Sequence, residues 1–326
     1  MSQDTSSGYA ALRHGAALVG RTTGRLLVRG ADRRAYLQGL LTNDIAALAP
    51  GTGCYAAMLN AQGRMITDMR VLELGEAVLL DVPAGLTRTV GDHLARFVFA
   101  EDVQVEDATA PRAELGLYGP RALDVLQSAP MEGTPPSTLF ASTPVTIAGR
   151  PAVVVRSDEI GVDGFDVFVP AEDAGLVRSA LAAAGAPIAS EQDVDTVRVE
   201  SGRPLFGVDM DGDTIPLEAG LEDRALSRTK GCYVGQEVII RVLDRGHGRV
   251  ARRLVGLTLD LAAPVPGHGA TIRSADREIG RVTSGVWSPA LSRPIALAYV
   301  QRDFVEPGTA VSVGEATASV ISLPFV

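Results

Sequence analysis

After Arg252-Arg253 the chain breaks into six short runs, Leu254 to Leu259, Ala270 to Arg273, Glu278 to Ser284, Ile295 to Val300, Ala310 to Val313 and Thr317 to Leu323, separated by turns such as Pro264-Val265-Pro266-Gly267. Segments of this length, evenly punctuated by Gly and Pro, bury half their side chains only by pairing edge to edge, so the pattern predicts a small β-barrel. A boundary is therefore expected near residue 250, dividing a unit over 12–249 from one over 250–326. With 326 residues and 46% hydrophobic content, the chain has apolar surface for two or three packed units.

The first unit has a different texture. Leu26-Leu27-Val28, Tyr55 to Leu59, Val71-Leu72, Val78 to Val82, Pro151 to Val155 and Phe165 to Val169 are short, bounded by Gly, Asn or Pro, and read as strands. Leu86, Val90, Leu94 and Phe97 recur at helical spacing and fall on one helix face. Asp32 to Leu41 is a second helix candidate. A third opens at Pro170, with Glu172 and Asp173 in its first turn and Gly185 after its end. Strands and helices do not alternate strictly, which predicts an α+β fold and not a doubly wound parallel sheet.

A net charge of −9 argues against direct nucleic-acid binding and against anionic membranes, because phosphate contacts need clustered Lys and Arg. Met1 to Ser7 lacks the basic start and apolar core of a secretion signal, and no apolar run approaches the ~20 residues that span a bilayer. The two cysteines, Cys54 and Cys232, are expected to be reduced in a cytoplasmic monomer. His14, His93, His247 and His268 are scattered, and without a Cys-x-x-Cys or His-x-x-x-His pair no permanent metal centre is expected.

One segment stands apart: Lys230-Gly231-Cys232-Tyr233-Val234-Gly235-Gln236-Glu237. Lys230 is the sole Lys among 30 basic residues, the others all being Arg, so a site that keeps the ammonium has a use for its shape or its accessible pKa. From Arg224 to Arg253 eight cations, including Arg228, Arg241 and Arg245, face two acids, Glu237 and Asp244. Neighbouring cations lower a thiol's pKa, which makes Cys232 the candidate reactive group. Gly231 and Gly235 permit tight backbone beside it. Cys54, in an apolar strand with no nearby cation, reads as core. Gly161-Val162-Asp163-Gly164 precedes a strand and is therefore a turn, not a dinucleotide fingerprint. Asp166 alternates with Phe165 and Val167, so its carboxylate faces away from theirs and could pair with the amino and ring N–H groups of a heterocycle.

Tyr55 to Arg64, Gly161 to Val167, Arg198 to Pro204 and Pro216 to Leu221 resemble the folate-binding fold of the glycine-cleavage T-protein superfamily. Lys230 to Glu237, followed by Arg241, is similar to the signature of its YgfZ branch. Gly280 to Ser284, Trp287-Ser288-Pro289 and Leu323-Pro324-Phe325 resemble its C-terminal barrel. The resemblance implies three subdomains in a ring around a channel for tetrahydrofolate or a one-carbon derivative, the first discontinuous and a ferredoxin-like one inserted. It implies a pterin-binding role for Asp166 and a channel-lining or buttressing role for Arg198 and Glu200. Tyr233, Gln236 and Arg241 are further folate-contact candidates, the Arg cluster being suited to the folate's glutamate tail. Where T-protein enzymes carry adjacent acids, this chain has Thr67-Asp68, leaving Asp68 as the single candidate to act on the folate.

The branch resemblance implies an accessory factor for assembly or repair of iron–sulfur enzymes, some of which modify tRNA, with Cys232 and Lys230 sharing the folate channel. The alternative is a folate-dependent aminomethyl- or methyltransferase using Asp68. A third reading is a binding module in which folate is structural.

Overall fold

The structure, a computed structural model, describes residues 6–246 and 248–326; the lead as far as Thr5, His247 and the Arg245 side chain lie outside the described set. The described residues form three sheets. In the first, the strands Thr52–Leu59, Met65–Glu73, Val78–Pro83, Thr23–Arg29 and Gln104–Asp107 lie in that order. The helices Arg33–Gln38 and Thr87–Ala95 pack Leu37, Val90 and Leu94 against Leu26, Val28 and Leu80 of this sheet. The expected apolar face of the Leu86–Phe97 run is thus the buried one, while the Asp32–Leu41 candidate shortens to a helix of 6 residues.

The second sheet orders Ala17–Gly20, Arg112–Tyr118, Gly164–Pro170, Arg150–Ser157, Ser142–Ile147 and Met131–Glu132. Val125 and Leu126 of the helix Ala122–Ser128, and Val177 and Leu181 of Ala174–Ala183, cover one of its faces. The helix expected from Pro170 starts later, because the strand runs through Pro170 and a single tight turn, Ala171–Asp173, intervenes. The other face meets the first sheet: Leu72 and Leu79 share a core with Val155 and Phe168.

From Arg252 onward six antiparallel strands close into a barrel in the order Arg252–Leu259, Arg293–Gln301, Arg277–Ser288, Thr271–Ser274, Ala310–Val313 and Ala316–Ile321. Each of the six expected runs is one of these strands. Val255, Leu257, Ala296, Ala298 and Val320 fill the interior.

The helix Glu191–Glu200 ties the units together. A capping box starts it: the Ser190 hydroxyl accepts from the Asp193 amide, and the Asp193 carboxylate accepts from the Ser190 amide. At its far end Arg198 donates to Ser284 of the barrel at 2.9 Å, and Glu200 accepts from barrel Ser288 and from Tyr9 and Arg13 of the N-terminal helix Ser7–His14. No helix among the described residues is long and apolar enough to cross a membrane.

Candidate functional site

A cavity of about 590 Å³ opens between the two sheets, the helix Glu191–Glu200 and the segment 203–206. That volume is in the range of small-molecule sites. Tyr55, Asp68 and Asp81 reach its wall from the first sheet, Glu159 from the loop before Gly164, and Arg21, Arg198, Arg203 and Arg224 from four separate segments.

Asp68 is placed there by strand register. Ala57 lies opposite Asp68 and Tyr55 opposite Arg70, so Tyr55 and Asp68 are diagonal neighbours on one face of the sheet, within reach of a long side chain. The Tyr55 hydroxyl donates to Asp68 Oδ2 at 2.5 Å. Burial pushes the Asp68 carboxyl up to about 6; the Tyr55 hydrogen bond opposes this rise and the charge of Glu159 adds to it. Near neutral pH such a group can hold or release a proton, as general acid–base work requires. Glu159 is held differently. Burial raises it, but the guanidinium groups of Arg70, Arg224 and Arg21 outweigh burial and keep the carboxyl below its usual range. Arg224 donates to Glu159 at 2.9 Å and to Asp158 at 2.7 Å, and lies over the Tyr55 ring at 4.8 Å.

Asp166 faces away from Phe165 and Val167 as the alternation requires, yet its carboxylate does not line the cavity. It is fully buried behind the wall, accepting from the Tyr118 hydroxyl at 2.7 Å and from Arg70. The same Arg70 donates to Asp81 at 2.9 Å and to Glu114 at 2.6 Å, so one buried guanidinium joins carboxylates of both sheets. The Asp166 acceptors, expected to meet a pterin, are engaged here by the Tyr118 hydroxyl and Arg70, as a buried carboxylate requires. Glu159, which sequence reasoning missed, lines the cavity beside Asp68 and Asp81. Arg198 lines the cavity, with Asp195 at 2.6 Å and Asp209 at 2.7 Å; Glu200 does not, and buttresses the joint described above.

The Lys230–Glu237 segment lies outside the cavity lining. Gly235 has φ +83°, and a Cβ there would stand 2.4 Å from the Asn60 carbonyl oxygen, so the segment's glycine docks directly on the turn that follows Thr52–Leu59. Lys230 Nζ donates to the carbonyls of Gln38, Leu41 and Asn43, at 2.6 Å and 2.9 Å for the first and last. Burial lowers its ammonium to about 8, which leaves it protonated near neutrality. Its nitrogen sits 5.0 Å from the Tyr233 ring centre. Gln236 accepts from the Tyr233 amide at 3.1 Å.

Cys232 is an exposed free thiol, and its expected place within the channel is not found. The cations near it in sequence point elsewhere in space: Arg224 to Asp158 and Glu159, Lys230 to backbone, Arg252 to Glu218 and Arg253 to Glu222. Arg241 is exposed and, with Tyr233 and Gln236, lies off the cavity lining; the arginines on the wall are Arg21, Arg70, Arg198, Arg203 and Arg224. Cys54 is half-buried, its thiol pushed up to about 12 by burial. Among the described residues no group of three or more His, Cys, Asp or Glu is placed to hold a metal ion.

Residues 1–228 match the GCVT N-terminal domain, and residues 252–326 match the glycine cleavage T-protein C-terminal barrel domain. The chain is 34% identical over 306 residues to an aminomethyltransferase of Thermus thermophilus, covering 93% of this chain and 84% of that protein. It is 34% identical over 314 residues to one of Saccharopolyspora erythraea, with the same two coverages. The crystal structure of glycine cleavage system aminomethyltransferase T from Bartonella henselae superposes with a TM-score of 0.87 at 27% identity, covering 98% of this chain and 88% of that one. With both of its domains matched and its fold shared, this chain belongs to the glycine cleavage T-protein family of aminomethyltransferases.

Proposed function

We propose that this chain binds tetrahydrofolate in the Asp68 cavity and transfers a one-carbon unit there, as a folate-dependent aminomethyl- or methyltransferase. The observation that carries the reading is Asp68 itself: a buried carboxyl on the cavity wall, held by Tyr55, with its pKa raised to about 6. The donor set fits the ligand. Glu159 and Asp68 offer acceptors to the N–H groups of a pterin, and Arg21 and Arg203, each hydrogen-bonded through a single guanidinium nitrogen among the described residues, offer donors to a carboxylate tail. Tetrahydrofolate supplies the acceptor nitrogen; Asp68 takes up or returns the proton exchanged there, and Tyr55 orients its carboxylate. The relatives named aminomethyltransferase support this reading over one centred on Cys232. Incubation with tetrahydrofolate and an aminomethyl donor tests it: methylene-tetrahydrofolate forms with the parent and drops at least a hundredfold in Asp68→Asn. Equal rates in the two would sink the assignment.

A second reading, membership of the YgfZ branch as an accessory factor for iron–sulfur enzymes, is favoured by one observation. Cys232 is an exposed thiol on a segment whose backbone is anchored by Lys230 and Gly235, which suits reaction with a client protein at the surface. Cells carrying Cys232→Ala, assayed for iron–sulfur enzyme activity under oxidative stress, decide it; undiminished activity removes this reading and leaves the first in place.

A further inference from the structure

A second cavity, also of about 590 Å³, lies between the segment 208–214 and the barrel strands Arg277–Ser288 and Arg293–Gln301. Arg203 to Phe206 line the Asp68 cavity, whereas Val208, Asp209 and Asp211 line this one, and the Arg198–Asp209 ion pair joins the two walls. The second cavity is therefore a separate space and not an extension of the first.

Its hydrogen-bonding capacity is unbalanced. The acids on its wall are already engaged: Asp209 accepts from Arg198, Leu205, Thr283 and Ser284, Asp211 from the Asp213 amide and Thr214, and Glu278 from Arg281. The donors are not. Tyr299 lines the cavity at 7% exposure; its buried hydroxyl is near Thr214 but makes no hydrogen bond of ordinary geometry with it or with any other described residue. Arg252 lies over the Tyr299 ring at 4.8 Å; it directs Nε to Glu218 and Nη2 to the Asp213 carbonyl, and Nη1 has no partner among the described residues. A buried, unsatisfied hydroxyl is rare enough in folded proteins to call for an explanation. A guanidinium beside it selects negative charge.

We propose that this cavity is a second ligand site, binding a small phosphate- or carboxylate-bearing anion through the Tyr299 hydroxyl and Arg252. The site is independent of the folate reading. Its test is calorimetric titration of inorganic phosphate and, separately, of succinate into the parent, Tyr299→Phe and Arg203→Gln. Tyr299→Phe keeps the ring under Arg252 and removes only the hydroxyl, so the variant is expected to fold. Saturable binding of one anion is expected, and the anion that saturates identifies the headgroup. Tyr299→Phe weakens it roughly tenfold or more, the contribution of one hydrogen bond to a charged group, and Arg203→Gln leaves it within about twofold. Absence of saturable binding by either anion, equal affinity in Tyr299→Phe, or loss in Arg203→Gln, which would place the anion in the Asp68 cavity, overturns the proposal.

Discussion

Replacing Lys230 with Arg keeps the charge and changes only its shape, which makes it the sharpest probe of why the single Lys is where it is. The ammonium donates to three backbone carbonyls, those of Gln38, Leu41 and Asn43, that converge on one point beyond the helix Arg33–Gln38. Three tetrahedral N–H groups suit such a cup; a guanidinium is larger and holds its donors in one plane. A hydrogen bond from a charged donor contributes about 1.5–3 kcal/mol. Losing one or two of the three, with water partly restoring the carbonyls, predicts that Lys230→Arg costs about 1–3 kcal/mol. Lys230→Met, which loses all three, costs about 2–4 kcal/mol. Urea unfolding reads the difference as a fall in midpoint of roughly 0.3–1 M for the Arg variant. Alkylation of Cys232, followed below the transition, stays within about twofold of the parent in Lys230→Arg, because the ammonium serves the backbone and not the thiol. A Lys230→Arg protein as stable as the parent, with Cys232 alkylation slowed tenfold, would refute the structural role and return Lys230 to thiol chemistry.

Asp68 titrates at about 6 in the native state against an ordinary 3.8, so the folded chain holds the extra proton between those values and the residue's contribution to stability falls as pH rises through that window. Asp68→Asn should match the parent's stability near pH 4 and exceed it by about 1–3 kcal/mol at pH 7; parallel pH–stability curves for the two would contradict the raised pKa. Tyr55→Phe removes the hydrogen bond that lowers Asp68, so the acidic limb of the transfer rate moves up in pH from about 6. An unmoved or lowered limb means that Asp68 is not the titrating group. Gly235→Ala forces a side chain into φ +83° and against the Asn60 carbonyl, and should lower stability by about 2 kcal/mol or more, read as a fall in thermal midpoint.

What was legible in the chain followed from local rules. Strand length and Gly/Pro punctuation give the barrel because each of its strands alternates inward residues such as Leu257 and Ala298 with outward ones. Val90 and Leu94 mark a helix because four-residue spacing leaves them on its one buried face. The helix Glu191–Glu200 escaped the same test, since Glu-Gln-Asp-Val-Asp-Thr-Val-Arg-Val-Glu has no simple apolar stripe and several β-branched residues. The available signal was its capping box, Ser190 with Asp193. Asp68 was reachable through its motif. Glu159 and Arg21 were not, because they converge from distant segments and no spacing rule joins them. Asp166 shows the limit of alternation: it assigns a face, but whether that face meets a ligand or a buried Arg70 is settled by tertiary packing. Cys232 shows the corresponding limit for charge, since Arg224, Lys230, Arg252 and Arg253, close to it in sequence, find partners in other directions.

The most direct test of the account is the structure of the protein with tetrahydrofolate bound. The pteridine is predicted inside the cavity, within hydrogen-bond distance of Asp68 or Glu159, with its carboxylate tail against the wall arginines and Cys232 out of contact. Folate seated against Cys232, or absent from the Asp68 cavity at saturating concentration, would contradict the account.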